Sequence, residues 1–218
     1  MKRYYTPIFV SLSLFALASA AIAGHPGKDA EGFEVIYDGS DMSKLDTEGN
    51  WTIAKDGSLE LKPREGESGW KRYHHYVWLK ETYEDFVFDF EYKHPKGGNS
   101  GFYFRITDKA DPVTSGFEVQ ILDSLGKPDS EMGHHDNGGV IKTQGASENM
   151  SKEPGTWNRM TVTMKGNHLK VVLNGEEIQN FDLSEKKPKD KELAPSGLIS
   201  IQDHGQPFAI RNLRVKKL

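Results

Sequence analysis

The chain has 218 residues, no cysteine and a formal net charge of −4. Without cysteine it has no disulfide framework, no structural Cys-zinc site and no N-terminal Cys to carry a lipid. The acidic balance and the lack of a basic stripe argue against nucleic acid as a partner, and no stretch past the first 23 residues approaches the length of a membrane span.

Residues 1–23 read as a secretory signal peptide. Lys2 and Arg3 form a basic start, Ile8 to Ala18 is a short apolar run, and Ala21-Ile22-Ala23 is a small-x-small cleavage site. The expected mature chain starts at Gly24 and is exported, to the periplasm or outside the cell. Loss of Lys2 and Arg3 takes its charge to −6. The remaining 24–218 are long enough for one sizeable core and read as a single all-β domain.

Apolar residues in this part recur at every second position, the period of a strand with one buried face. Expected strands, in order, are Phe33–Tyr37, Trp51–Ala54, Ser58–Leu61, Tyr76–Leu79, Phe86–Tyr92, Gly101–Ile106, Phe117–Leu122, Met160–Lys165, His168–Leu173, Gln179–Asp182, Gly197–Gln202 and Phe208–Val215. Turn signals separate them, and Gly166-Asn167 is expected to close a two-residue hairpin. No convincing amphipathic helix interrupts the series. Many short strands at this spacing predict an antiparallel two-sheet sandwich of the jelly-roll type. Two longer stretches, 62–75 and 124–158, break the rhythm. Loops of this length on a rigid sandwich usually line a site or move. The charge run at 184–196 is expected to be a solvated surface loop.

Three strands carry an unusual polar side. Phe102 and Phe104 share one face of their strand, with Tyr103 and Arg105 on the other. Phe117, Val119 and Ile121 oppose Glu118 and Gln120, while Ile199 and Ile201 oppose Ser200, Gln202 and His204. If the strands share a sheet, one surface collects Tyr103, Arg105, Glu118, Gln120, Gln202 and His204. Amide, guanidinium and carboxylate groups present paired donors or acceptors in a fixed plane, which suits sugar hydroxyls. Asn99-Ser100-Gly101 follows a Gly-Gly turn that either admits a ligand to the backbone or only makes a bend. His134-His135-Asp136 lies in a long loop and leaves three readings open: surface histidines, a substrate-contacting or catalytic His134, and a metal ligand, the last disfavoured because adjacent residues rarely bind one ion together. Asp89 and Glu91 alternate on their strand, and Trp51, Trp70, Tyr73 and Trp78 are candidate aromatic platforms. Core packing is favoured for Trp51 and Trp78, which lie in strand-like runs.

These segments resemble a known family. Tyr83 to Lys93 runs into Gly97-Gly98-Asn99-Ser100-Gly101-Phe102-Tyr103-Phe104-Arg105. Then follow Gly116-Phe117-Glu118-Val119-Gln120-Ile121-Leu122-Asp123, Pro154-Gly155-Thr156-Trp157-Asn158, Leu173-Asn174-Gly175, Gly197 to Gly205 and Ile210 to Val215. In order and spacing they are similar to the 3-keto-disaccharide hydrolases, across nearly the whole mature chain. The resemblance implies a concanavalin-like jelly roll and action on glycosides already oxidised at C3 of the sugar. Its Asn-Ser-Gly-x-x-x-Arg, Glu-x-Gln and Gln-x-His elements fall on Asn99, Ser100, Arg105, Glu118, Gln120, Gln202 and His204. One departure is Val140-Ile141-Lys142, where members usually carry an aromatic residue after the glycine-rich turn.

A C3 ketone acidifies the C2 proton, so such an enzyme would abstract that proton, expel the C1 substituent and add water. The expected base is His134 or Glu118 and the expected acid is His204. Arg105 is expected to hold the enolate oxygen or a hydroxyl. Gln120 and Gln202, with Asn99, Ser100, Tyr103 and Asp123, would contact the sugar. A divalent cation such as calcium is a candidate to polarise the ketone, with no ligand set legible. Two competing readings remain: a carbohydrate-binding module on the same polar face, and a conventional glycoside hydrolase built on paired carboxylates such as Asp89 and Glu91.

Overall fold

The computed structural model describes residues 31–218, and the expected signal peptide lies outside them. Thirteen strands are present among them: β1 Glu34–Tyr37, β2 Leu45–Asp46, β3 Trp51–Ile53, β4 Leu59–Leu61, β5 Val77–Tyr83, β6 Phe86–Lys93, β7 Asn99–Ile106, β8 Phe117–Leu122, β9 Asn158–Lys165, β10 His168–Leu173, β11 Glu176–Asp182, β12 Gly197–Ile201 and β13 Phe208–Lys217. Two one-turn helices, α1 Pro112–Ser115 and α2 Leu183–Lys186, complete the regular structure with two short 3₁₀ turns. Every expected strand is found. The additional β2 spans two residues, too few for a period to show.

All pairings are antiparallel. One sheet has the order β11-β10-β9-β6-β13-β4-β3, with β1 added on β13. The other has the order β2-β5-β12-β7-β8. Between them the inward positions form a single core. Phe102, Phe104, Phe117, Val119, Ile121, Ile199 and Ile201 from the smaller sheet meet Phe86, Phe88, Phe90, Met160 and Val162 from the larger. Phe88 and Phe102 pack with ring centroids 5.1 Å apart, and Phe90 and Phe102 with 5.5 Å. Such aromatic pairs add stabilisation beyond the area they bury. Trp51 belongs to this core. The hairpin at Gly166-Asn167 pairs Lys165 with His168 as expected, with Gly166 at φ 55°.

The outer face of the smaller sheet is not solvated. It carries a second apolar cluster of Tyr76, Trp78, Tyr103 and Ile106. Ile106 reaches this face because β7 bulges. Leu198 pairs with Ile106 and Ser200 with Tyr103, so between these pairs one residue on β12, Ile199, opposes two on β7, Phe104 and Arg105. The bulged residue is Arg105, in the left-handed region at φ 56°. That shift removes Arg105 from the side of the sheet shared with Tyr103.

Candidate active site

Four side chains from three adjacent strands form the floor of a pocket of about 310 Å³ on this outer face: Tyr103 from β7, Glu118 and Gln120 from β8, and Gln202 just after β12. Asn99 and His204 extend it. Trp70 from loop 62–75, Val113 from α1, and His135, Ile141 and Lys142 from loop 124–157 form the walls.

Glu118 lies at the centre of the floor, flat on the sheet. It can do so because Gly101, across the strand pair from Gln120, has no side chain: a Cβ there would stand 2.1 Å from Glu118 Oε1. Burial pushes the Glu118 carboxyl up to about 7. The Tyr103 hydroxyl, which hydrogen-bonds it, and the Lys191 ammonium pull the other way. Tyr103 itself is held far above its usual range by burial and by the Glu118 charge, so it is a neutral hydrogen-bond donor. Gln202 Nε2 donates to the Tyr103 hydroxyl at 3.2 Å, while Gln202 Oε1 has no partner within the protein. The amide of Gln120 is satisfied with its nitrogen toward Ser100 O at 2.9 Å and Glu118 Oε1 at 3.2 Å, the orientation its neighbours require.

Loop 124–157 reaches the pocket as an added strand on the edge of β8. Gly138 N–H donates to Gln120 O, Gln120 N–H to Gly139 O, and Ile141 N–H to Glu118 O, at 2.8, 2.8 and 3.0 Å. Behind it, the buried Asn137 accepts from the Tyr92 hydroxyl at 2.8 Å and donates to Ser151 Oγ at 3.0 Å. Lys127 pairs with Asp136 at 2.6 Å. Loop 62–75 is tied down on the other side. Tyr76 Oη donates to Trp70 O at 2.7 Å and Trp78 Nε1 to Tyr73 O at 2.8 Å. Arg72 Nη2 reaches the fully buried Asp203 at 2.5 Å.

The sequence matches the 3-keto-alpha-glucoside-1,2-lyase-like domain over residues 32–216. The chain belongs to this family. A relative from Bacteroides thetaiotaomicron, a 3-keto-disaccharide hydrolase, is 25% identical over 87% of this chain and 80% of its own length. Two crystal structures from Parabacteroides distasonis, both provisionally described as glycosyl hydrolases, share the fold. One has a TM-score of 0.71 at 23% identity, covering 87% of this chain and 95% of its own. The other has 0.68 at 25%, covering 85% and 99%. A family 66 carbohydrate-binding module from Bacillus subtilis shares the sandwich alone, with a TM-score of 0.55 at 12% identity, covering 81% and 98%.

The family elements divide between pocket and scaffold. Asn99, Tyr103, Glu118, Gln120, Gln202 and His204 line the pocket together. Three residues expected at the substrate do not. Ser100 is fully buried and donates to Gln202 O at 2.8 Å, locking β7 to the strand end that carries Gln202. Asp123 accepts from Gly97 N–H at 2.8 Å and closes the β6–β7 turn. Arg105, 2% exposed, turns away at the bulge and donates to Ala194 O at 2.6 Å and Gly166 O at 3.1 Å, with Asp85 at 3.6 Å. His134 is also outside the lining. Its Nδ1 accepts from Lys142 N–H at 3.1 Å, fixing Lys142 at φ 58°, and the neighbouring His135 faces the pocket instead. Burial lowers the His204 pKa, with the Asp203 charge opposing that fall.

Asp89 and Glu91 sit on the larger sheet, away from the pocket. Asp89 accepts from Arg159, Arg214 and Thr161, and Glu91 from Arg211 and Asn212. Among the described residues no three His, Asp or Glu side chains converge as a metal site. Val113, Ile141 and Lys142 were not legible as site residues; Trp70 was expected only as a candidate aromatic platform, and His135 only within the histidine pair whose first member was the substrate-contacting candidate.

Proposed function

We propose that the pocket cleaves the glycosidic bond of 3-keto glycosides by elimination across C1 and C2, followed by hydration. The observation that carries this reading is Glu118. Among the residues lining the pocket it is the sole carboxylate, it is buried on the floor, and its proton exchanges near neutrality. A general base works best with a pKa close to the working pH. Conventional glycosidases need two carboxylates flanking the bond, and this pocket offers one. The family description and the named Bacteroides relative support the same substrate class.

In this reading the Glu118 carboxylate takes the proton from C2. The electron pair moves into a C2–C3 enolate, and its collapse expels the C1 oxygen, which takes up a proton as it leaves. Water then adds to C1 while C2 is reprotonated, so one water is consumed overall. In an α-glucoside chair the axial C2 hydrogen and the axial C1 oxygen lie on opposite ring faces. The base therefore comes from the floor and the leaving-group proton from the other face of the ring; in this reading His135 and Lys142, which line the pocket walls, are the residues to supply it. Trp70 offers an aromatic face to the sugar, and the Gln120 and Gln202 amides orient its hydroxyls and the C3 oxygen. We also infer from the segment 1–23 that the protein is exported and meets its glycoside outside the cytoplasm.

The test is to incubate the protein with a 3-keto α-glucoside and with its unoxidised parent and to follow aglycone release. Release from the keto form alone is the expected result. Release from the parent at a comparable rate overturns the elimination, and binding of both with release of neither would make the domain a carbohydrate-binding module.

A further inference from the structure

The pocket has two chemically different ends, and strand register sets them. Gln202 N–H donates to Gly101 O at 2.9 Å and Gly101 pairs with Gln120, so these three residues lie abreast across the floor. The bridge between Val119 and Val140 puts Gly139 beside Gln120 and Ile141 beside Glu118. The next line across the floor is therefore Ser200, Tyr103, Glu118 and Ile141. Two residues before Glu118 stands Gly116, where a Cβ would meet Ile106 Cγ1 at 2.6 Å, and Val113 packs on the same outer cluster as Ile106. Asn99, at the start of β7, lies at the opposite end.

One end thus carries Asn99, Gln120 and Gln202, with Gln202 Oε1 still without a partner within the protein. The other end carries Val113 and Ile141, both half-buried, and Glu118 stands between the two ends. The backbone at the apolar end is already engaged. Val113 O accepts from Lys191 Nζ at 2.7 Å, Ile141 O accepts from the Thr143 hydroxyl at 3.2 Å, and Ile141 N–H donates to Glu118 O at 3.0 Å. The wall residues His135 and Lys142 are exposed, so neither is a fixed, buried partner for a sugar hydroxyl.

We propose that the Val113–Ile141 end is the aglycone subsite and that it selects an apolar leaving group, such as an aryl group, over a second sugar. This rests on the reading of Glu118 as the base. With C2 over Glu118, the hydroxyls of the oxidised ring find partners at the Asn99–Gln202 end, and the C1 substituent lies over Val113 and Ile141. A second sugar sets its hydroxyls there against two aliphatic side chains and an occupied backbone, where they lose water and gain no partner. An apolar group gains by leaving water at the same place.

The probes are two 3-keto α-glucosides that share the oxidised ring, one of phenol and one of glucose (3-keto maltose). Calorimetry reads their binding in Glu118→Gln, alone and combined with each substitution below, and steady-state kinetics reads kcat/KM in the active protein. The phenyl compound is expected to bind about 10-fold more tightly than the disaccharide. Ile141→Thr and Val113→Thr keep a branched side chain and bring a hydroxyl to the apolar end. Each should narrow the margin about 3-fold, whereas Ile141→Val should keep it within about 2-fold. The phenyl-to-disaccharide ratio of kcat/KM should change by the same factors, and comparing that ratio between variants cancels the difference in leaving-group reactivity. Equal binding of the two probes, or a margin that survives in both Thr variants, overturns the proposal. A protein that shows the margin but turns over neither probe sinks the functional reading and keeps the subsite. An active protein without the margin sinks the subsite alone, and binding of neither probe overturns both.

Discussion

Glu118 lies in a place that disfavours its charge, and that has a consequence for stability as well as for reactivity. Its carboxyl titrates near 7 in the fold and near 4.5 in the unfolded chain. Between those values the folded state binds the extra proton, so this group's contribution to stability falls as pH rises from about 4.5 to 7 and is flat above. Glu118→Gln removes the buried charge. The variant is expected to be more stable than wild type at pH 8, by on the order of 2 kcal/mol, and close to wild type at pH 4.5. Thermal melts at the two pH values check this; a loss of stability at pH 8 would contradict it. Catalysis shows the opposite slope, because the base must be ionised: kcat/KM should rise with pH through about 7. Gly101 tests the geometry of the same group. Gly101→Ala places a methyl where the carboxylate now lies, and Glu118 must swing away. A strand tolerates alanine, so the melt should change little while kcat falls roughly 100-fold, the scale of an ångström misplacement of a reacting group. Near-normal turnover would mean the carboxylate's resting place is not its working place.

At the scale of elements, the floor belongs to strands and the walls to loops that strands hold in place. Loop 124–157 is fixed by pairing along the β8 edge, which both covers an exposed edge and brings His135 and Lys142 into the pocket wall. Loop 62–75 is fixed by the Arg72–Asp203 pair, in which Asp203 is fully buried and Arg72 largely so. Breaking a buried pair leaves a stranded charge. Asp203→Asn should therefore lower the melting temperature by several degrees and raise KM about 10-fold through the loosened Trp70 wall, with a smaller effect on kcat. Steady-state kinetics together with a melt decide it: an equal fall in kcat and kcat/KM would place Asp203 in the chemistry itself.

For the whole molecule, the alternation of Phe117, Val119 and Ile121 with Glu118 and Gln120 was enough to place the floor, because a strand's faces follow from its period. The same rule failed at Arg105. A bulge inserts one residue and reverses the faces beyond it, and nothing in Phe102-Tyr103-Phe104-Arg105 announces the left-handed turn. A different rule fell short at Lys191, since a lysine in a charged run reads as solvent-facing whether or not its ammonium is folded back against a backbone carbonyl. His134 and His135 could not be told apart by position, because which of two neighbours faces a pocket is set by the hydrogen bond that Lys142 N–H makes to one of them. The two-sheet architecture and the places of its strands thus come from local pattern plus resemblance, while the strand order and several strand ends came only with the structure. The walls come from long-range hydrogen bonds between segments far apart in the chain.

The central claim is that the floor carboxylate removes the C2 proton. It is tested most directly with a 3-keto α-glucoside deuterated at C2, turned over in ordinary water, with the label at C2 of the released 3-keto sugar read by mass spectrometry or NMR. The account predicts loss of the deuterium to solvent and a primary isotope effect on kcat/KM, both abolished with turnover in Glu118→Gln. Release of the aglycone with the C2 deuterium fully retained would contradict it.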